Sequence, residues 1–146
     1  MHLLFNEILE KVSKAKTKPQ KIDVLREHQS ESLKMLIKSS FDPKIEWAFP
    51  EGSVPYVPNE APAGTEHTVL ESECRKLWHF IKGADKKTPQ FKKEQMFIQM
   101  LEGLQEEEAK VLLSAKDKKL HQMYKGLSKQ VVKEAFNWND EFMLNE

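Results

Sequence analysis

The run FPEGSVPYVPNEAPAG, residues 49–64, decides how the rest of the chain must be read. Pro50, Pro55, Pro58 and Pro62 remove backbone donors and hold φ near the extended range, so helix and central strand are both disfavoured there. Polyproline-like or turn structure remains. Strand-like composition is confined to Ser53–Val57, and on both sides the apolar residues recur at helical spacing. The expected class is therefore all-α, a bundle of about six to eight mostly short helices interrupted by one proline-rich loop.

Upstream, Leu4, Phe5, Ile8, Leu9, Val12 and Ala15 form one apolar stripe. Pro19 fits a first helical turn leading to Ile22 and Leu25, and Ser30 is placed to cap the segment carrying Leu33, Leu36 and Ile37. Asp42-Pro43 offers one more turn towards Trp47. Downstream, Thr68-Val-Leu-Glu71 reads as a capping box ahead of Leu70, Cys74, Leu77, Trp78 and Ile81, with Gly83 as the stop. Thr88-Pro89 opens a helix with Phe97, Met100, Leu101 and Leu104 that ends near Gly103. Glu106, Glu107 and Glu108 read as the solvated acidic start of another, whose inner side is Leu112, Leu113 and Ala115. Leu120, Met123 and Tyr124 form a short helix stopped by Gly126, with Leu127 making the contact of a C-terminal cap. Ser128 starts the last helix, buried through Val131, Val132, Ala135 and Phe136. The parts are an N-terminal helical part (1–48), the loop or strap (49–64), a C-terminal helical part (65–136) and an acidic, aromatic tail (137–146), within one compact domain.

Lys and Arg number 23 against 23 Asp and Glu, so no bulk field draws this chain to nucleic acid or anionic lipid, and electrostatic recognition must be local. The lone Cys74 has no disulfide partner, which suits a reducing compartment. The N-terminus lacks the order of a signal peptide, and no apolar run approaches the roughly 20 residues of a membrane helix. No membrane partner is expected.

Catalytic and metal chemistry find no foothold. His2, His28, His67, His79 and His121 lack metal-ligand spacing, and Cys74 has no cysteine partner. Cys74 lies on the apolar stripe with Leu70 and Leu77, where a thiol behaves as a small hydrophobe. The five glycines are dispersed, and no serine sits in a nucleophile elbow. The expectation is no enzyme, no cofactor, no metal and no catalytic residue.

Binding chemistry remains. The loop and its flank offer Trp47, Phe49 and Tyr56, and the tail offers Trp138, Phe142 and Leu144, rigid or apolar groups suited to a protein partner. Each set has a competing reading, the loop as an internal strap and the tail as a cover on its own core. Three stretches are locally basic: Lys11–Lys21, Lys82–Lys93, and a third carrying Lys110, Lys116, Lys118, Lys119, Lys125, Lys129 and Lys133. The third is the candidate nucleic-acid surface if its lysines converge on one face, and a solvated helical face otherwise. With Arg26 and Arg75 the only arginines, sequence-specific reading of DNA is disfavoured.

The segments LLFNEILEKVSKAKTK (3–18), FDPKIEWAFPEGSVPYVPNEAPAG (41–64) and MFIQMLEGLQEEEAKVLLSAKDKKLHQMYKGLSKQVVKEAF (96–136) resemble a small protein family of T-even-like marine phages, chiefly cyanophages. The resemblance runs nearly end to end and weakens in the tail after Phe136. It implies a virus-encoded protein in the cytoplasm of an infected bacterial host, and it carries over no catalytic residue. The expected function is a non-enzymatic adaptor that docks on a phage or host protein. The alternatives are a nucleic-acid-binding protein and a minor, self-associating virion component.

Overall fold

The computed structural model describes residues 3–59 and 68–144. Pro62 and Gly64 of the loop, His2, His67 and the last two residues of the tail lie outside them. The described residues form eight α-helices and one 3-10 helix, with isolated bridges in place of strands. The expected all-α bundle is what is seen, and Ser53–Val57 forms no strand.

Helices α1 (Phe5–Lys14), α2 (Lys18–Glu27) and α3 (Glu31–Phe41) make the N-terminal part. In α1 the stripe Phe5, Ile8, Leu9 and Val12 is buried. Thr17 and Gln20 form a capping box at the start of α2, and the Ser30 hydroxyl accepts the Leu33 N–H at the start of α3. The Lys21 ammonium gathers the carbonyls of Val12, Ser13 and Ala15, neutralising the negative end of α1. Gly126 approaches that ammonium so closely that a Cβ there would lie 2.8 Å from Lys21 Nζ, and its φ of +90° is itself a glycine conformation.

The C-terminal part holds α4 (Leu70–Glu73), the 3-10 helix (Cys74–Phe80), α5 (Gln90–Gly103), α6 (Glu106–Lys116), α7 (Leu120–Met123) and α8 (Lys129–Phe136). Helix α8 packs on α2, and α6 packs on α1 and α3. One set of buried apolar residues therefore runs from Phe5 to Phe142 through both parts.

Two expected helix starts differ. No capping box forms at Thr68, whose N–H instead bonds the Gly103 carbonyl at 2.8 Å. The N-terminus of α4 is capped from afar: Glu108 Oε1 accepts the Leu70 N–H, and Oε2 accepts the Phe5 N–H of α1, both at 3.1 Å. Glu108 is thus 1% exposed and no part of a solvated acidic start. Orphan N–H groups at two helix ends and one carboxylate with two oxygens satisfy each other. Burial pushes the Glu108 pKa up, against the lowering effect of the Leu70 and Phe5 N–H groups.

The loop acts as a strap over its described length. The Trp47 indole N–H donates to the Ser39 carbonyl at 3.1 Å, and Trp47 bridges Ile81 through bonds from Ala48 N–H to Phe80 O and from Lys82 N–H to Glu46 O. Phe49 packs on Phe80 and Phe97 with ring centroids 5.5 and 4.8 Å away. The Lys116 ammonium, its side chain fully buried, donates to Pro50 O at 2.8 Å and Gly52 O at 2.7 Å and pairs with Asp117 at 2.8 Å. Asp117 also accepts the Gly52 N–H, and Glu102 accepts the Val57 N–H.

The tail turns back on the core. Asn137 adopts the left-handed conformation that ends α8, Trp138 bridges Leu144, and the Trp138 ring packs on both Phe136 and Phe142.

Candidate functional site

The aromatic docking surface expected from sequence does not form. Trp47 and Trp138 are 8% exposed and Phe142 is fully buried, because each finds aromatic partners within the protein. Phe49 and Tyr56 are half-buried against the same core. Leu144 alone of the six is exposed.

The seven C-terminal lysines do not converge either. Lys110 pairs with Glu107 and Glu106, Lys119 with Glu51, and Lys133 with Asp140. Lys116 is held under the strap, and Lys118 donates to the carbonyls of Asp42 and Ile45, with burial lowering its pKa. Lys129 lies over the Phe142 ring at 5.4 Å. Five of the seven are thus committed to carboxylate or backbone oxygens, and of the other two Lys129 has the Phe142 ring while the Lys125 side chain makes no such contact among the described residues. Long basic side chains near helix ends served internal carbonyls, which the spacing of lysines cannot distinguish from a solvated row.

A different surface gathers basic and aromatic groups. In an α-helix Cys74, Leu77, Trp78 and Ile81 would share one face, as expected from sequence. The 3-10 helix winds at about three residues per turn. Cys74, Leu77 and Phe80 consequently align on the core side, fully or almost fully buried, while Trp78 swings out to 48% exposure. Arg75, three residues before Trp78, falls on the same outward line and is exposed. The signal was present as apolar residues at 74, 77 and 80, a spacing of three that also fits an α-helix loosely.

The outward face is braced by Asp85. Its Oδ2 bonds His79 Nδ1 at 2.7 Å, and its Oδ1 accepts the N–H groups of Lys87 and Thr88. The Lys93 ammonium, from the first turn of α5, donates to the Asp85 carbonyl at 2.6 Å. Bonds from the His79 and Thr88 side chains hold the Asp85 carboxyl far below the usual carboxylate range. The His79 ring stacks on Trp78 with centroids 3.8 Å apart and planes inclined by 31°. Asp85 therefore fixes the loop bearing Lys86 and Lys87 next to the Trp78–His79 stack.

Charge is concentrated here. Residues 74–93 carry seven basic side chains against the single carboxylate of Asp85, in a chain neutral overall. Lys76 and Lys82 have acidic neighbours in Glu73 and Glu46, and Lys93 is buried. Arg75, Lys86, Lys87 and Lys92 are exposed and make no ion pair among the described residues.

Among the described residues, no group of three His, Cys, Asp or Glu could hold a metal ion, and no helix is long and apolar enough to cross a membrane. Cys74 is buried, and burial, then Glu108, Glu71 and Glu73, push its thiol far above the ordinary range, opposite to an activated nucleophile.

These features define an all-α protein with one strapped core and one outward basic, aromatic face. Residues 8–122 match DUF6433, a family of unknown function, and the chain belongs to that family. The matched span contains the whole 74–93 surface and stops short of α8 and the tail. No curated protein matches the chain, and no solved structure does.

Proposed function

We propose that this protein is a non-enzymatic nucleic-acid-binding protein that engages phosphates through Arg75, Lys86, Lys87 and Lys92. The observation that carries the reading is that these four exposed cations, unlike five of the seven lysines between Lys110 and Lys133, have no anion or carbonyl holding their side chains among the described residues. Cations left without partners beside an exposed tryptophan are suited to a polyanion with flat bases. The likeness to marine-phage proteins supports a setting in the cytoplasm of an infected bacterium.

The test is fluorescence anisotropy with a labelled single-stranded oligonucleotide. Four phosphate contacts give a salt slope near −3, so affinity should fall about 50-fold between 50 and 200 mM salt. Lys86→Glu with Lys87→Glu should abolish binding at moderate salt, whereas Lys110→Glu should not. Absence of binding at low salt would refute the proposal.

A second reading, docking on a phage or host protein, is favoured by one observation. Between the strap and α5 lies a pocket of about 240 Å³ lined chiefly by Phe49, Pro50, Val54, Pro55, Phe97 and Ile98. Ile98→Glu should block protein capture there while leaving oligonucleotide binding unchanged.

A further inference from the structure

We infer that the exposed Trp78–His79 stack is a platform for an unpaired nucleobase, so that the ligand is single-stranded nucleic acid rather than duplex. This rests on the nucleic-acid reading above and goes beyond it, because phosphate contacts alone do not distinguish the two forms.

The argument begins with the helix type. Runs of 3-10 helix longer than three or four residues are uncommon, since their hydrogen bonds are poorer than those of an α-helix. Here the run lasts seven residues, Cys74–Phe80. Its winding brings Phe80 inside, against Phe49 and Phe97, and leaves the large Trp78 ring outside. Trp78 differs in this from Trp47 and Trp138, which the fold buries.

The exposed ring is also held in place. His79 lies against it at 3.8 Å, and Asp85 anchors His79 in turn. A platform fixed before binding loses little side-chain freedom when a ligand arrives, which favours affinity. Every base has a π-face, so stacking on Trp78 requires no particular sequence, but it does require a base outside a duplex stack. Arg75 lies on the same line of the helix, and the loop that carries Lys86 and Lys87 is tied to the same Asp85. The cations are thereby placed beside the ring, where the backbone of a strand lying on it would run.

Lone exposed tryptophans are ordinary, and Trp78 alone would carry nothing. The inference depends on the four exposed cations of this surface that make no ion pair among the described residues, Arg75, Lys86, Lys87 and Lys92, which select an anionic occupant. An apolar peptide gains nothing from those charges. A duplex gains from the charges but has no free base for the ring.

The experiment uses the intact protein with an oligo(dT) of about 18 nucleotides, the matching dA·dT duplex, heparin and anionic lipid vesicles. Tryptophan fluorescence reports directly, since Trp78 is the one exposed tryptophan of the three. The expected results are quenching by oligo(dT), weaker binding of duplex at equal salt, and a loss of single-strand affinity of about 5- to 150-fold in Trp78→Ala, the range that stacking of one base on one aromatic ring gives. Trp78→Phe should retain most of the affinity. Circular dichroism of both variants, which alter a half-exposed side chain, checks that the fold is kept.

If Trp78→Ala binds oligo(dT) as tightly as the unaltered protein while Lys86→Glu with Lys87→Glu does not, the platform is refuted and the phosphate reading stands. Equal affinity for duplex and single strand has the same meaning. If the protein binds neither form at low salt, both readings fail, and binding of vesicles or heparin alone assigns the surface to another polyanion.

Discussion

Replacing Glu108 by Gln changes one atom and should destabilise the protein by about 2 kcal/mol. The carboxylate oxygens accept two backbone N–H groups, from Phe5 and Leu70, each at 3.1 Å. An amide keeps one oxygen and turns an NH2 group towards the other donor, leaving a buried N–H without an acceptor at a cost of about 1–3 kcal/mol. The lost negative charge at two helix N-termini adds some tenths, and relief from burying an ion offsets part of the total. For a chain of this length 2 kcal/mol corresponds to a fall in Tm of about 4–8 °C. Urea unfolding of both proteins measures it, with exposed Glu107→Gln as the control, expected within about 0.5 kcal/mol of the unaltered protein. The sign with pH is set by the raised pKa of Glu108. The folded state binds its proton more readily than the unfolded state, so this group contributes stability below the unfolded value of about 4.3 and loses it as pH rises through the folded value. Gln does not titrate, and the difference between the two proteins should therefore be larger near pH 4 than near pH 7. A change below about 0.5 kcal/mol, with unaltered hydrogen exchange at Phe5 and Leu70, would refute the double-cap account.

Lys116→Met should cost about 3 kcal/mol, because it leaves the carbonyls of Pro50 and Gly52 without their buried donor and Asp117 without its cation. Faster proteolysis within residues 50–59 should accompany it. Asp85→Asn should weaken the acid sensitivity of unfolding, since the lowered Asp85 pKa contributes stability above the unfolded value of about 3.9 that disappears as pH falls. The readout is the midpoint of acid unfolding. Cys74 should react with a thiol reagent only after urea unfolding, and rapid labelling of the native protein would contradict its burial.

The helices bounded by local chemistry were legible: Pro19 lies in the first turn of α2, Ser30 and Ser128 mark starts that their own side chains bond, and the stripe from Phe5 to Val12 is buried as its spacing requires. What escaped were interactions that link distant positions. Glu108 looked like one of three solvent-facing acids, and its oxygens serve residues 38 and 103 positions away. Lys116 and Lys118 looked like part of a basic row, and their ammonium groups are claimed by carbonyls beyond sequence windows. The candidate surface escaped for a subtler reason. Its charge was visible in Lys82–Lys93, but the exposure of Trp78 depends on a change from α to 3-10 winding, and spacings of three and four satisfy both until the core selects Phe80.

The long reach of Glu108 also constrains the order in which the molecule is made. The chain leaves the ribosome from its N-terminus, so the first helix emerges well before the residue that completes its cap has been synthesised. Contacts spanning so much of the sequence are closed late and slow folding. The segment bearing α1 must therefore wait, exposing Phe5, Ile8 and Leu9 to water or to a chaperone, until Glu108 has been made. Its native start is set by the arrival of α6, and a nascent chain arrested before that point lacks it.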